Sequence, residues 1–94
     1  MTVLKVHKTE QFQVDLNDTV LFIAQDNVQT AIDMEQLLHR QVDQLADPNF
    51  PRRKGRVPGT LELVAHPNYV VLLEQTRTTV TALALMHVAR QYPK

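Results

Sequence analysis

Three short apolar runs separated by tight turns fill most of the second half of the chain, and they constrain its fold more than any other feature. The runs cover residues 61–65, 69–74 and 79–86. Runs of this length, rich in valine, leucine and threonine, are typical of β-strands. The turns at His66-Pro67-Asn68 and at residues 75–78 are too short for a crossover, so they favour antiparallel pairing of consecutive strands. The second half therefore predicts a three-stranded antiparallel meander.

The first half carries two apolar stripes with helical spacing, and these predict two helices. Thr9 suits the N-cap of the first helix, and either Asp26 or Asn27 suits the N-cap of the second. We expect the second helix to end at Asp47-Pro48, because the residue before proline is pushed out of the α region. The stripes consist of Phe12, Leu16, Val20, Ile23 and Ala24, and of Ala31, Met34, Leu38, Val42 and Leu45. The two-residue break between them predicts an antiparallel helical hairpin.

These patterns together predict an α+β fold with two layers. Residues 3–7 alternate enough to form a short N-terminal strand, which gives the order β-α-α-β-β-β. The sheet should bury one face against the helical hairpin. A chain of 94 residues has room for a modest core, and we expect residues 1–94 to form one domain.

The formal net charge is zero, yet the two halves carry opposite charge. Residues 1–48 contain eight Asp and Glu against three Lys and Arg, a balance of −5. Residues 49–94 contain seven Lys and Arg against two Glu, a balance of +5. This asymmetry suggests an anionic or acidic partner for the second half.

Several function classes find no support in the sequence. The chain lacks cysteine, which excludes disulfides, thiolate metal sites and cysteine nucleophiles. Its histidines at positions 7, 39 and 66 have no metal-ligand spacing, and there is no phosphate-binding loop. No apolar run approaches the roughly 18 residues of a membrane span, and the N-terminus does not resemble a signal peptide. We therefore expect a cytoplasmic protein that needs no cofactor and no membrane.

A basic cluster precedes the first strand of the meander and is the first candidate site. It contains Arg52, Arg53, Lys54 and Arg56, which could bind phosphates or a carboxylate-rich peptide. The alternative is an ordinary solvated loop. Arg56 could also pair with Glu62 rather than with a partner.

His87, Arg90 and Tyr92 form the second candidate site, at the end of the last apolar run. They are suitable residue types for a metal-free ribonuclease, which needs a base, an acid and a cation on the phosphate. They fit a contact patch or a structural role equally well. Because Pro93 cannot extend a strand, we expect the strand to end near Met86 and residues 87–94 to form an exposed tail.

Three segments of the chain resemble the RelE/ParE superfamily of bacterial toxins from type II toxin–antitoxin modules. The segments are residues 23–27 (IAQDN), residues 55–72 and residues 85–93 (LMHVARQYP). The residues that match the pattern of the ParE-like branch are Arg56, Val57, Gly59, Thr60, Glu62, His87, Arg90, Tyr92 and Pro93. The resemblance spans nearly the whole chain.

The resemblance implies a growth-inhibiting toxin, of the kind associated with plasmid stabilisation, that a cognate antitoxin holds inactive. ParE-like toxins are associated with DNA gyrase inhibition, so the expected mechanism is protein contact through the basic cluster, Tyr69 and the C-terminal residues. The alternative is a RelE-like endoribonuclease that cleaves mRNA on the ribosome. That branch places cations on the middle strands, whereas this chain has Val70 and Val71 there. Family members also often have an aromatic residue and an arginine where this chain has Leu73 and Glu74.

Overall fold

The computed structural model describes residues 3–89, which form a five-stranded sheet covered on one face by two helices. The elements in chain order are β1 (Lys5–Lys8), α1 (Glu10–Ala24), α2 (Val28–Asp43), a 3₁₀ turn (Gln44–Ala46), β2 (Arg53–Lys54), β3 (Leu61–His66), β4 (Tyr69–Gln75) and β5 (Thr79–His87). The predicted α+β order is confirmed. The structure adds β2, which lies in the segment that the sequence predicted as loop.

Both helices begin where the sequence predicts. The Thr9 hydroxyl accepts a hydrogen bond from the Phe12 N–H at 3.0 Å, and the Asn27 side chain accepts one from the Thr30 N–H at 2.9 Å. Of the two candidate caps for α2, the cap is Asn27. The predicted end of that helix is wrong by about one turn. The α-helix stops at Asp43, and a 3₁₀ turn carries the chain to Asp47, whose backbone is extended. Such turns commonly tighten helix ends, which is why proline spacing alone overestimates the helix.

The sheet has the order β1-β5-β4-β3-β2. Strands β3, β4 and β5 form the predicted antiparallel meander, with Leu63 opposite Val71 and Val71 opposite Leu85. Strand β1 lies parallel to β5 and closes one edge. Strand β2 pairs antiparallel with β3 and places Arg53 opposite Glu62 at the other edge. The basic cluster is therefore partly built into the sheet.

The hydrophobic core lies between the helices and one face of the sheet. Phe12 and Leu16 of α1 and Leu38 and Val42 of α2 are buried there, as the helical stripes predict. The strand residues that join them include Leu63, Ala65, Val71, Leu73, Val80, Ala82 and Leu85. Burial of these apolar side chains is the main force that holds the two layers together.

A bulge in β5 fixes the direction of α1 relative to the sheet. Leu72 pairs with Ala84 and Leu73 with Ala82, so Leu83 is the extra residue. The Thr9 hydroxyl donates to the Leu83 carbonyl at 2.9 Å, and the Asp15 carboxylate accepts from the Leu85 N–H at 3.0 Å. Strand β1 pairs with β5 only as far as Ala82, so beyond that point these two side chains supply hydrogen-bond partners to β5 in place of a neighbouring strand. Helix α1 therefore runs along β5 toward its C-terminal end.

The turn between the helices lies at that same end of the molecule. Asp15 is level with Leu85, and α1 continues for nine more residues, or about 13 Å. We call residues 17–30 the hairpin tip. The tip contains no fully buried residue, in contrast to the earlier part of α1 and the later part of α2. The longest axis of the molecule is 41 Å.

Candidate protein-contact site

A buried carboxylate organises the basic cluster. The Glu62 side chain is on the sheet face that points away from the helices, and only 1% of the residue is exposed. Its carboxylate accepts a hydrogen bond from Arg53 Nε at 2.9 Å and one from the Arg56 backbone N–H at 3.1 Å. A carboxylate buried to this extent needs hydrogen-bond partners. Without them, its removal from water costs on the order of several kcal/mol. Glu62 thus fixes the path of the chain from Arg53 to Arg56.

The segment that follows is closed by contacts across the loop. We call residues 51–60 the basic loop. The Gly55 N–H donates to the Thr60 carbonyl at 2.8 Å, and the Thr60 hydroxyl donates to the Val57 carbonyl at 2.7 Å. A Cβ atom at Gly55 would lie 2.3 Å from the Thr60 hydroxyl oxygen and 2.9 Å from its carbonyl oxygen. Gly59 has a φ of +83°, in the region that favours glycine. Both glycines are therefore required by the shape of the loop.

Arg52 connects the basic loop to the rest of the fold. Its guanidinium donates to the carbonyls of Phe50 and Asp47, at 3.0 and 2.6 Å, and to the Gln75 side chain at 2.9 Å. Partial burial lowers the pKa of this guanidinium, and the nearby charge of Asp47 opposes the shift. Arginine still stays charged in proteins. With several of its donors engaged, Arg52 is less available to hydrogen-bond a partner than its exposed neighbour Lys54.

A shallow cavity of about 200 Å³ lies beside the buried carboxylate. It is lined by Pro51, Arg52, Arg53, Glu62 and Val64. Val64 is 47% exposed, so the cavity has an apolar rim next to its charged wall.

Tyr69 and two histidines meet at the other end of the sheet. Tyr69 is 6% exposed and is part of the core. Its ring contacts that of His87 edge to face at a centroid distance of 5.1 Å, and that of His66 at 5.7 Å. Strand β5 ends at His87, one residue past Met86 and so near the predicted end, and His87 pairs with Tyr69 in the ladder. Tyr69 thus contributes mainly packing, and the two imidazoles flank it.

The two imidazoles are oriented by backbone groups. His66 Nδ1 accepts a hydrogen bond from the Asn68 N–H at 3.1 Å, and His87 Nδ1 accepts one from the Ala89 N–H at 3.2 Å. A neutral imidazole that accepts at Nδ1 carries its proton at Nε2. In this form each Nε2–H is a hydrogen-bond donor. The sequence identified His87 as a candidate site residue and His66 as a turn residue, and the structure places both imidazoles against Tyr69.

The structure separates the predicted site residues into two groups. Arg52, Arg53, Lys54 and Arg56 lie near the start of β3, whereas Tyr69 and His87 lie near its end. The six residues of β3 separate the groups by about 17 Å. Arg90 and Tyr92 lie outside the described residues. The sequence suggested Glu62 only as a partner of Arg56, whereas the structure bonds it to Arg53 as well as to the Arg56 backbone N–H. The sequence feature that indicates this role is a single carboxylate within an apolar run. A carboxylate buried with such a run needs a cation or other hydrogen-bond donor beside it.

Comparison with known families identifies the chain. Residues 6–92 match the family model described as ParE toxin of type II toxin-antitoxin system, parDE. The chain belongs to the ParE toxin family. The match covers more than nine tenths of the chain, and it confirms the predicted RelE/ParE resemblance and its ParE-like branch. No curated protein sequence matches the toxin.

Solved structures support the fold of the toxin. A chain of the chromosomal ParDE TA system from P. aeruginosa superimposes with a TM-score of 0.78 at 16% identity, covering 90% of the toxin and 96% of that chain. A chain of the E. coli DinJ-YafQ complex superimposes with a TM-score of 0.63 at 13% identity, covering 95% and 98%. At these identities the likeness concerns the fold alone.

Within residues 3–89, no three His, Asp or Glu side chains are grouped so that they could bind a metal ion. In the same range, neither helix has the length and apolar character needed to cross a bilayer.

Proposed function

We propose that the toxin arrests growth in the cytoplasm by contact with a protein target, DNA gyrase, and that a cognate antitoxin neutralises it. Membership of the ParE family supports the toxin part of this proposal. The gyrase assignment rests on the ParE-like pattern of residues 55–72, since that branch is associated with gyrase inhibition. No cofactor takes part in this mechanism.

The observation that carries the contact mechanism is the fixed shape of the basic loop. Glu62 holds Arg53 and the Arg56 backbone, so that Lys54 and Arg56 are presented from a closed loop rather than from a flexible one. A preorganised surface loses less conformational entropy on binding than a mobile one. This favours the basic loop as a binding surface over an ordinary solvated charge run.

The antitoxin segment that fits this surface is acidic and amphipathic. Positive charge at Lys54 and Arg56 attracts carboxylates, while Val57 and Val64, at 42% and 47% exposure, offer apolar contacts. A disordered segment that folds on binding is a common partner for such a surface. The charge pattern predicts an association rate that falls with salt.

His87 motivates the alternative function, a ribosome-dependent endoribonuclease. Its Nε2–H is a suitable donor to a leaving oxygen, and Tyr69 lies beside it. Two features favour the contact mechanism instead. Tyr69 is buried in the core, and Val70 and Val71 are 2% and 0% exposed, so this part of β4 offers no cation to a phosphate.

A paired assay distinguishes the two functions. Purified toxin is added to a gyrase supercoiling reaction and, separately, to a ribosomal translation reaction in which cuts in the mRNA are mapped. We expect inhibited supercoiling and intact mRNA. Cuts within codons together with unaffected supercoiling would reject the gyrase proposal.

Variants of the toxin show which residues act in that assay. Lys54→Ala with Arg56→Ala should weaken gyrase inhibition, because charge is lost at the proposed surface. Lys5→Ala with Arg40→Ala is the matched control, since these exposed cations lie on β1 and α2, outside the basic loop. His87→Gln should have little effect, whereas loss of an acid or base would slow a nuclease by about 10²–10⁴-fold.

A further inference from the structure

A cleft lies at the corner of the sheet where β1 and β5 begin, between the segment that follows the 3₁₀ turn and the turn that joins β4 to β5. Its volume is about 660 Å³, which is within the range of small-molecule sites. We call it the corner cleft, and it is lined by Leu4, Pro48, Asn49, Gln75, Thr76, Arg77 and Thr78. None of these residues belongs to the basic loop. The proposed function therefore leaves this cleft without a role.

Hydrogen bonds fix the wall that the β4–β5 turn forms. The Thr76 N–H donates to the Thr79 carbonyl at 2.8 Å. The Thr76 hydroxyl accepts from the N–H groups of Thr79 and Thr78, at 3.1 and 3.3 Å. The Lys5 N–H donates to the Thr78 carbonyl at 2.9 Å, which ties the turn to β1. The turn therefore holds the backbone of Arg77 in a defined position.

The opposite wall is also held by hydrogen bonds. The Asn49 N–H donates to the Asp47 carboxylate at 2.8 Å. Arg52 joins the two walls, because its guanidinium donates to the Asp47 carbonyl at 2.6 Å and to the Gln75 side-chain oxygen at 2.9 Å. A cleft with fixed walls loses little conformational entropy when a ligand enters.

The free hydrogen-bonding groups of the corner cleft are mostly donors. The Gln75 side-chain oxygen is engaged by Arg52, so its NH₂ group is the part that remains available. The Thr76 hydroxyl oxygen already accepts two N–H bonds, which uses its acceptor capacity. The Arg77 guanidinium can only donate, and within residues 3–89 it has no ion pair or hydrogen bond. The cleft therefore suits a ligand that accepts several hydrogen bonds.

The charge at this corner indicates that the ligand is an anion. The charged residues in and beside the lining segments are the cations Lys5, Arg52 and Arg77 and the carboxylates Asp47 and Glu74. The charge of Asp47 acts on Arg52, where it opposes the lowering of the pKa by burial. Glu74 and Gln75 point to opposite faces of the sheet, because successive side chains of β4 alternate. Arg77 is the charged residue among those that line the cleft.

We propose that the corner cleft binds a phosphate monoester, with the Arg77 guanidinium on the phosphate oxygens. A guanidinium binds two phosphate oxygens at once. A phosphate group offers three acceptor oxygens, and it therefore satisfies more of the donors of Arg77, Gln75 and Asn49 than a carboxylate with two. Leu4 and Pro48 give the organic part of the ester an apolar surface. This binding requires neither gyrase nor an antitoxin.

An NMR titration of isotopically labelled, full-length toxin with phenyl phosphate tests the proposal. The amides of residues 75–79 and the side-chain NH₂ groups of Asn49 and Gln75 report on the cleft. We expect saturable shift changes at these groups at about millimolar concentrations, which correspond to weak binding of a small anion. Absence of saturable changes up to about 50 mM ligand would overturn the proposal. Equal changes with sodium chloride at the same ionic strength would overturn it as well.

Matched arginine variants identify the residue that holds the phosphate. Arg77→Gln should weaken binding by about tenfold or more, because a charge-assisted, bidentate contact is lost. Arg40→Gln removes the same group from an exposed position on α2 outside the cleft, and it should bind as the unaltered toxin does. Thermal melting verifies that both variants fold. Unchanged affinity in Arg77→Gln would reject the corner cleft as the site.

Acidification distinguishes a phosphate monoester from a carboxylate as the ligand. The second pKa of a phosphate monoester is about 6, so between about pH 7.5 and about pH 5 it loses one of its two charges, whereas benzoate stays charged. Titration of the protein, for example of His7 on β1, affects both ligands alike. We expect phenyl phosphate to lose affinity on acidification and benzoate to bind weakly throughout. Benzoate that binds as tightly as phenyl phosphate at the higher pH would reject the phosphate assignment.

These titrations contain only toxin and a small ligand, so their outcome does not depend on whether gyrase is the target. Failure to bind phenyl phosphate therefore overturns the further inference and leaves the proposed function as it stands. Failure to inhibit supercoiling has the converse meaning, because the basic loop and the corner cleft have no lining residue in common.

Discussion

The basic loop and the hairpin tip are both exposed, but they are held in different ways. In the loop, the buried Glu62 carboxylate accepts hydrogen bonds from Arg53 and from the Arg56 backbone N–H, and Gly55 closely approaches Thr60. The tip contains helical hydrogen bonds and one side-chain cap, but no fully buried residue. Specific polar contacts fix the loop, whereas the tip depends on the helices that lead into it.

This difference shows how a small domain can present two kinds of exposed surface. A surface built from charges needs fixed positions, because Coulomb attraction gives specificity only when the geometry is set. A surface built from apolar side chains is non-directional and tolerates movement. In this structure the charged surface, the basic loop, is the one held by specific polar contacts.

The largest expected effect comes from Arg53→Met, which leaves the buried Glu62 without its arginine. We expect a loss of about 2–3 kcal/mol in the free energy of unfolding, because a buried carboxylate loses its charged partner. Lys54→Met removes the same charge from the adjacent residue, and it should leave stability nearly unchanged. Urea denaturation of both variants provides the measurement.

A double variant sharpens this test. Arg53→Met combined with Glu62→Gln removes the buried charge as well as its partner, so a substantial part of the lost stability should return. Additive losses in the double variant would contradict the claim that the carboxylate is what makes Arg53 necessary.

The next largest effect is expected at Gly55. Gly55→Ala places a methyl group against the Thr60 hydroxyl and carbonyl, and should cost about 1–3 kcal/mol through overpacking. Gly59→Ala meets no neighbouring atom, so its cost of about 1–2 kcal/mol arises from the positive φ alone. Gly55→Ala should also change the amide chemical shifts of residues 54–60 in an NMR spectrum. If Gly55→Ala and Gly59→Ala changed these amide chemical shifts equally, the close approach of Gly55 to Thr60 would not be what shapes the loop.

A smaller effect is expected at the helix caps. Asn27→Ala removes the cap of α2 and should cost about 1 kcal/mol. Thr9→Ala should cost more, because the Thr9 hydroxyl both caps α1 and donates to Leu83. Thermal unfolding ranks the two variants. Hydrogen exchange should show that Asn27→Ala opens the hairpin tip while the amides of Gly55 and Thr60 keep their protection. Loss of protection in the basic loop would mean that the two regions are coupled.

The smallest effect on stability, and the largest on binding kinetics, is expected for charge removal on the loop surface. Lys54→Ala with Arg56→Ala should reduce the association rate of an acidic antitoxin severalfold at low salt, and much less at high salt. A synthetic acidic, amphipathic peptide serves as the probe, with stopped-flow fluorescence as the readout. An association rate that does not depend on salt would remove the electrostatic argument.

The candidate site was only partly predictable, and the physical reason differs between residues. Clustering in the sequence makes the four basic residues alike, yet the fold gives them different roles. Arg52 reaches carbonyls of Phe50 and Asp47, and Arg53 reaches Glu62. Contacts between distant segments decide which basic residues remain available to a partner. The spacing of residues along the chain does not predict such contacts. The predicted roles of Arg90 and Tyr92 stay predictions, because both lie outside the described residues.

The sequence by itself determined the element order, the helix starts and the meander. Helical spacing, capping residues and short turns depend on interactions between residues a few positions apart, so the sequence alone predicts them. It also determined the family, through motifs spread over nearly the whole chain.

Tertiary structure alone decided what joins distant segments. It placed β1 parallel to β5, formed β2 from a predicted loop, and buried Glu62 against Arg53 and the Arg56 backbone. It also separated the basic loop from Tyr69 and His87, and left Leu21 and Val28 largely exposed at the tip. These outcomes depend on which surfaces meet once the core has formed, because a charge or an apolar side chain acquires its role from neighbours that only the fold brings near.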